Sequence, residues 1–187
     1  MKIHLIRHIT PDIKKGICYG QADIALNDNF DHEAKQILTT TSKAITKYDL
    51  VFSSPLQRCR LLAEKLPHEK LQIADDLMEI NFGDWELKYW DEIPINDSLK
   101  WTEDFINTAP PNGENLLSMQ KRTLLFFEKI LSMEYKNVAI VTHAGVIRLL
   151  ISHILEVPLE KIFNLKLKYG SIIEIKSCNQ QLDVEFL

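Results

Sequence analysis

"NVAIVTHAGVIRLLISHIL", residues 137–155, decides the fold class. Its first part, NVAIVTH (137–143), is a short apolar run rich in β-branched residues and closed by polar ones, the pattern of a buried strand. GVIRLLISHIL (145–155) follows at once and is apolar at helical spacing. A buried strand passing straight into an amphipathic helix is the unit from which parallel sheets are built.

The same alternation recurs outward along the chain. IHLI (3–6) reads as a short buried strand, 31–47 as a helix, DLVFSSP (49–55) as a second strand and LQRCRLLAEKL (56–66) as a helix. LQIAD (71–75) is read as a third strand, and 115–133 as the longest helix, entered through a turn and cap signal at 112–114. Residues 82–112 carry Trp, Asp, Asn and Pro and read as loops with one short helix near 98–107, a lid or substrate region within a single 1–187 domain. SIIEIKS (171–177) and LDVEFL (182–187) alternate apolar and polar, two half-exposed strands joined by a turn at CNQQ (178–181). The expected fold is α/β: a three-layer sandwich with a mostly parallel central sheet, helices on both faces and an antiparallel edge.

A chain of 187 residues with a formal net charge of −4 is a poor candidate for general nucleic-acid binding. Three widely spaced cysteines, with no Cys/His ladder, suggest neither a disulfide framework nor a metal site, and no apolar run approaches a membrane span. With no signal-peptide core at its start, the chain is expected to be cytoplasmic. Oligomeric state is not legible.

Ligands of open α/β sheets sit beyond the carboxyl ends of the strands. The first strand ends in Arg7-His8, the second in Ser53-Ser54-Pro55 with Arg58 just after it, and the 137–143 strand in His143-Ala144-Gly145. Each piece has a bland reading: a satisfied histidine, an arginine stem covering its helix, a serine cap. Together they put two imidazoles and two guanidinium groups on one rim of an acidic protein. Cations so gathered repel one another unless an anion is expected, and a phosphoryl group suits arginine forks and the N–H groups of helix N-termini. Glu79, in DLMEINFGDWE (76–86), is either a solvated acid or a general acid for a departing alkoxide.

Arg7-His8, SSPLQRC with Arg58, LMEINFGDWE with Glu79, and THAGVIR with His143 resemble, in order, the motifs of the histidine phosphatase superfamily, phosphoglycerate-mutase-like branch. GICYGQADIAL (16–26) is similar to alpha-ribazole phosphatases of cobalamin nucleotide-loop assembly. The resemblance implies a metal-free and cofactor-free phosphomonoesterase acting on a small-molecule phosphate ester. His8 would be the nucleophile, forming a phosphohistidine; Arg7, Arg58 and His143 would hold the phosphoryl oxygens; Glu79 would protonate the leaving oxygen and then activate water. Tyr19, Gln21, Ser54 and Ala144 are the candidate substrate contacts. Alpha-ribazole 5'-phosphate is the expected substrate, a broad small-metabolite or sugar phosphatase the alternative.

Four positions depart from the motif: Ile9 stands where the family has glycine, Pro11 where it has threonine, Lys14 where it has asparagine and, mildly, Ala144 where glycine is frequent. The first three put the nucleophile turn in question and keep open an inactive phosphate-binding module. His4, His32, His68 and His153 read as structural or surface residues. Trp90 and Trp101 read as a lid or as the packing of a small subdomain, and Cys18 as an ordinary thiol.

Overall fold

The structure, a computed structural model, describes residues 1–178 and 181–187. Six strands form one sheet: β1 (Lys2–Arg7), β2 (Tyr48–Ser53), β3 (His68–Ile73), β4 (Asn137–Thr142), β5 (Ile172–Cys178) and β6 (Gln181–Phe186), in the spatial order β3-β2-β4-β1-β5-β6. The first four pair in parallel, and β5 and β6 extend the β1 edge antiparallel. The helices are α1 (Phe30–Thr41), α2 (Gln57–Lys65), α3 (Ile95–Glu103), α4 (Leu116–Leu131) and α5 (Ala144–Ile154).

Successive strand residues face opposite sides of a sheet, and the central strands use both. Ile3, Leu5, Leu50, Phe52, Val138 and Ile140 pack with Met119 and Phe127 of α4 and with Val146 and Leu150 of α5. Ile6, Val51, Ala139 and Val141 face the other way, toward Ala34 and Ile37 of α1 and Leu62 and Ala63 of α2. Helices therefore cover both faces, as expected. α5 has no side-chain cap but buries seven residues, among them Val146, Ile147, Leu149, Leu150 and Ile151. Burial of each such aliphatic side chain contributes ~1.5–3 kcal/mol, enough to hold the helix without one.

β3 spans 68–73 rather than the expected 71–75. As an outer strand with one neighbour, its residues are half-buried or exposed, so no apolar run marks it. α3 begins at Ile95, directly after Pro94, and ends at Glu103, earlier than the expected 98–107, and none of its residues is buried. A 3₁₀ helix at Leu159–Asn164 had no sequence signal strong enough to be read. Residues 179 and 180 of the expected CNQQ turn lie outside the described residues.

His4 is structural. It lies buried within the sheet, where a neutral ring satisfies both neighbours: Nε2–H donates to Glu174 at 3.0 Å and Nδ1 accepts from the Tyr48 hydroxyl at 2.6 Å. Cys18 and Cys59 are buried and Cys178 is exposed, all unpaired. Burial pushes the Cys18 thiol up to about 12, so it is no ready nucleophile. No described helix is long and apolar enough to cross a membrane.

Candidate active site

Strand register builds the site. β1 and β4 align Arg7 with Thr142, and the His8 amide donates to the Thr142 carbonyl at 2.9 Å, so His8 and His143 leave the sheet side by side. β2 aligns Ser53 with Val141, and the Ser54 amide donates to the Val141 carbonyl at 3.0 Å. Three neighbouring strands thus end level, and the His8 and His143 rings meet edge to face with centroids 5.0 Å apart.

His8 is 2 % exposed, and its Nδ1 lies 2.7 Å from the Ile9 carbonyl. A carbonyl can only accept, so Nδ1 carries the hydrogen and Nε2 keeps its lone pair. Burial first, then the Arg58 cation, hold the His8 pKa well below its ordinary value. His143 is fully buried, with its pKa also held well below normal by burial and then by His8 and Arg58. Its Nε2 lies 2.8 Å from Ser54 Oγ, and Arg58 Nε donates to its Nδ1 at 3.4 Å. Both imidazoles are neutral, and each is oriented by its second nitrogen.

Arg58 has no solvent exposure. Its two terminal nitrogens donate to the Gly20 and Ala22 carbonyls. Arg7 donates Nη1 to the Leu167 carbonyl, while its Nε is buried without a partner among the described residues. Neither arginine has a carboxylate partner among the described residues. Arg58 is buried and Arg7 half-buried, and cations so desolvated are costly without a counter-ion, so the arrangement suits an anion of high charge density.

Glu79 is half-buried at the N-terminus of α5. One carboxylate oxygen accepts from the Gly145 amide and the other from its own neighbour, Ile80, both at 3.0 Å. Gly145 is there for space: a Cβ would stand 2.1 Å from Glu79 Oε1. The Gly20 backbone lies equally close to Ile80, where a Cβ would stand 1.8 Å from the carbonyl oxygen.

The remaining candidates divide. Tyr19 joins the cluster, its ring 5.5 Å from Arg58 Cζ. Ser54 holds His143. Gln21 turns its amide onto the Glu79 carbonyl at 3.0 Å and so braces that loop. Ala144 opens α5 as a buried residue. Ser54 does not cap α2. That helix starts at Gln57, whose amide donates to Asp23, because Pro55 and Leu56 keep the chain out of helical geometry for longer than expected. The backbone at Ile9 needs no glycine: Ile9 is fully buried against the α1–α2 core and is not among the residues with positive φ.

Several contributors carried no signal when read alone. Glu86 accepts from the amides of Gly20, Gln21, Ala22 and Phe82, locking the 19–22 loop to the Glu79 loop. Arg122 pairs with Glu114 and donates to the carbonyls of Asp76, Met78 and Glu79. Tyr169 lies over Arg7, 4.0 Å from centroid to Cζ. Beside Glu79, a cleft of about 230 Å³ is lined by Phe82, Trp90, Trp101, Phe105, Phe163 and Arg148.

The model of the histidine phosphatase superfamily (branch 1) matches residues 3–187. The chain belongs to that superfamily. As a histidine phosphatase it is an enzyme acting on small phosphate esters, and its relatives are of similar size. It is 27% identical over 178 residues to the adenosylcobalamin/alpha-ribazole phosphatase of Escherichia coli, covering 91% of this chain and 87% of that one. The Salmonella typhimurium protein of the same name is also 27% identical, covering 95% and 91%. The crystal structure of the alpha-ribazole phosphatase from Shigella flexneri superposes with a TM-score of 0.88 at 26% identity, covering 100% of this histidine phosphatase and 96% of that chain. The fold is accordingly the phosphoglycerate-mutase-like one that the motifs implied.

Proposed function

We propose that this phosphatase works through a phosphohistidine on His8. The carrying observation is a neutral imidazole with a free Nε2 lone pair beside two arginines that lack carboxylate partners. Nε2 attacks phosphorus while the ester oxygen departs with its electron pair and takes a proton from Glu79. Water then attacks the phosphohistidine, Glu79 takes the water's proton, and inorganic phosphate leaves with His8 regenerated. Arg7, Arg58 and His143 meet the charge on the phosphoryl oxygens, so positioning and electrostatics supply the rate. The steps call for no metal ion. Rapid quench with ³²P-labelled ester should trap an acid-labile, alkali-stable label in the wild type and none in His8→Ala; a label that persists would remove His8 from this role.

The same reading extends to the substrate. The single domain presents its 82–112 segment as a substrate wall, and the aromatic cleft beside Glu79 favours an ester whose leaving group is large and planar. Alpha-ribazole 5'-phosphate, with a ribose next to an aromatic base, fits that description, and the curated relatives bear that activity in their names. Stacking of a base on an aromatic side chain contributes ~1–3 kcal/mol. Its kcat/KM should therefore exceed that of ribose 5-phosphate by at least about tenfold. Equal values would mark a broad small-metabolite phosphatase instead.

A further inference from the structure

Arg7 and Arg58 reach the site from opposite ends of the chain's first third, and each meets a tyrosine face. Tyr169 lies 4.0 Å from Arg7 Cζ with its ring centroid 5.5 Å from that of His8, and Tyr19 lies 5.5 Å from Arg58 Cζ. The two tyrosine hydroxyls, 150 residues apart in sequence, are 2.7 Å from each other. The chain Arg7–Tyr169–Tyr19–Arg58 is therefore a frame running across the mouth of the site. It is anchored where it starts: the Gly170 amide donates to the His8 carbonyl at 3.2 Å, and the Arg7 amide donates to the Ser171 carbonyl at 2.9 Å. Gly170 permits this turn with a φ of +71°.

We propose that Tyr169 is a positioning residue of the phosphatase reaction, fixing the plane of the Arg7 guanidinium with the face of its ring. Geometry gives the reason. Arg7 spends Nη1 on the Leu167 carbonyl, and its Nε is buried without a partner. Nε–H and Nη2 share one edge of a guanidinium, the fork that receives two oxygens of a phosphoryl group. A fork is useful only if its plane is set, and an arginine stem with free torsions does not set it. The Tyr169 face beneath the guanidinium does so, through a cation–π attraction. This rests on the reading that Arg7 holds the phosphoryl group, and the experiment separates the two ideas.

Orthovanadate is the probe, with its inhibition constant measured for the wild type, Tyr169→Ala, Tyr169→Phe and Arg7→Lys, and for Tyr169→Ala combined with Arg7→Lys. Tyr169 is 37% exposed, so truncation should leave the melting temperature close to that of the wild type. Tyr169→Ala should weaken vanadate about tenfold, and Tyr169→Phe, which keeps the ring, should stay within about twofold. On the Arg7→Lys background, where no fork remains to be oriented, Tyr169→Ala should cost less than about twofold. Wild-type inhibition in Tyr169→Ala, or the full loss repeated on the lysine background, overturns the proposal. Wild-type inhibition in Arg7→Lys alone removes the phosphoryl-site reading and this one with it. Should Tyr169→Ala fail to fold, Tyr169→Leu, which keeps apolar bulk without a ring, carries the same expectations.

Discussion

The phosphoryl cup and the cleft beside it touch at Glu79 yet are built in contrasting ways. In the cup, His8, Arg58, Ser54 and His143 are all at most 2 % exposed, and strand register or a backbone carbonyl fixes each of them. The cleft is made by side chains packing on side chains: Phe82, Trp90 and Trp101 contact one another edge to face or tilted, with Trp90 39% and Phe163 50% exposed. On the function proposed above, chemistry is placed on the rigid part, and selectivity is left to a part that can change without disturbing the sheet.

That contrast can be broken first at the cup. His8→Ala should lower kcat by at least about 10⁴-fold for every ester, because loss of the nucleophile disables the catalytic unit as a whole. Discrimination among esters that survived such a loss would show the cleft acting on its own. At the boundary, Gly145→Ala sets a methyl group where the Glu79 carboxylate lies. The carboxylate is the end of a flexible chain and will move, so the protein should fold normally while kcat drops by ~10²-fold, the scale of a displaced general acid. An unchanged kcat would remove Glu79 from that role.

In the cleft, Trp101→Ala should reduce kcat/KM for alpha-ribazole 5'-phosphate by about tenfold and leave ribose 5-phosphate within about twofold. Equal losses on both esters would mean that the indole supports the cup rather than the leaving group.

The smallest effect is in stability. Burial keeps His8 and His143 uncharged when folded, whereas unfolded histidine titrates near ~6.5. Below that pH the unfolded chain binds protons that the native state refuses, so stability falls on acidification; above it the difference vanishes. The melting temperature should decline more steeply from pH 7 to 5.5 in the wild type than in His8→Asn, and parallel curves would refute this.

The cup was largely legible in the sequence, since its side chains stand at strand ends and strand ends follow from apolar runs such as 137–143 and 3–6. β3 was misplaced because an outer strand such as HEKLQI carries no apolar signature. Arg7, His8, Arg58, Glu79 and His143 were readable as a set. Glu86, Arg122, Arg148 and Tyr169 were not, because each acts on backbone or rings far away in the chain, and nothing in its neighbours tells it from a solvated surface residue. The cleft was illegible for the same reason: Phe105 and Phe163 meet edge to face, centroids 5.0 Å apart, across 58 residues of sequence.

Arg58 has one further consequence. In addition to the place proposed for it at the phosphoryl group, it ties the 19–22 backbone to α2 through the carbonyls of Gly20 and Ala22. A lysine at 58 would keep the sign but, as a single ammonium, could not span both carbonyls and His143. Loss of rate in such a variant would report a slackened scaffold as much as a missing charge, and the histidine phosphatase would lose its grip on Tyr19 before any substrate arrived.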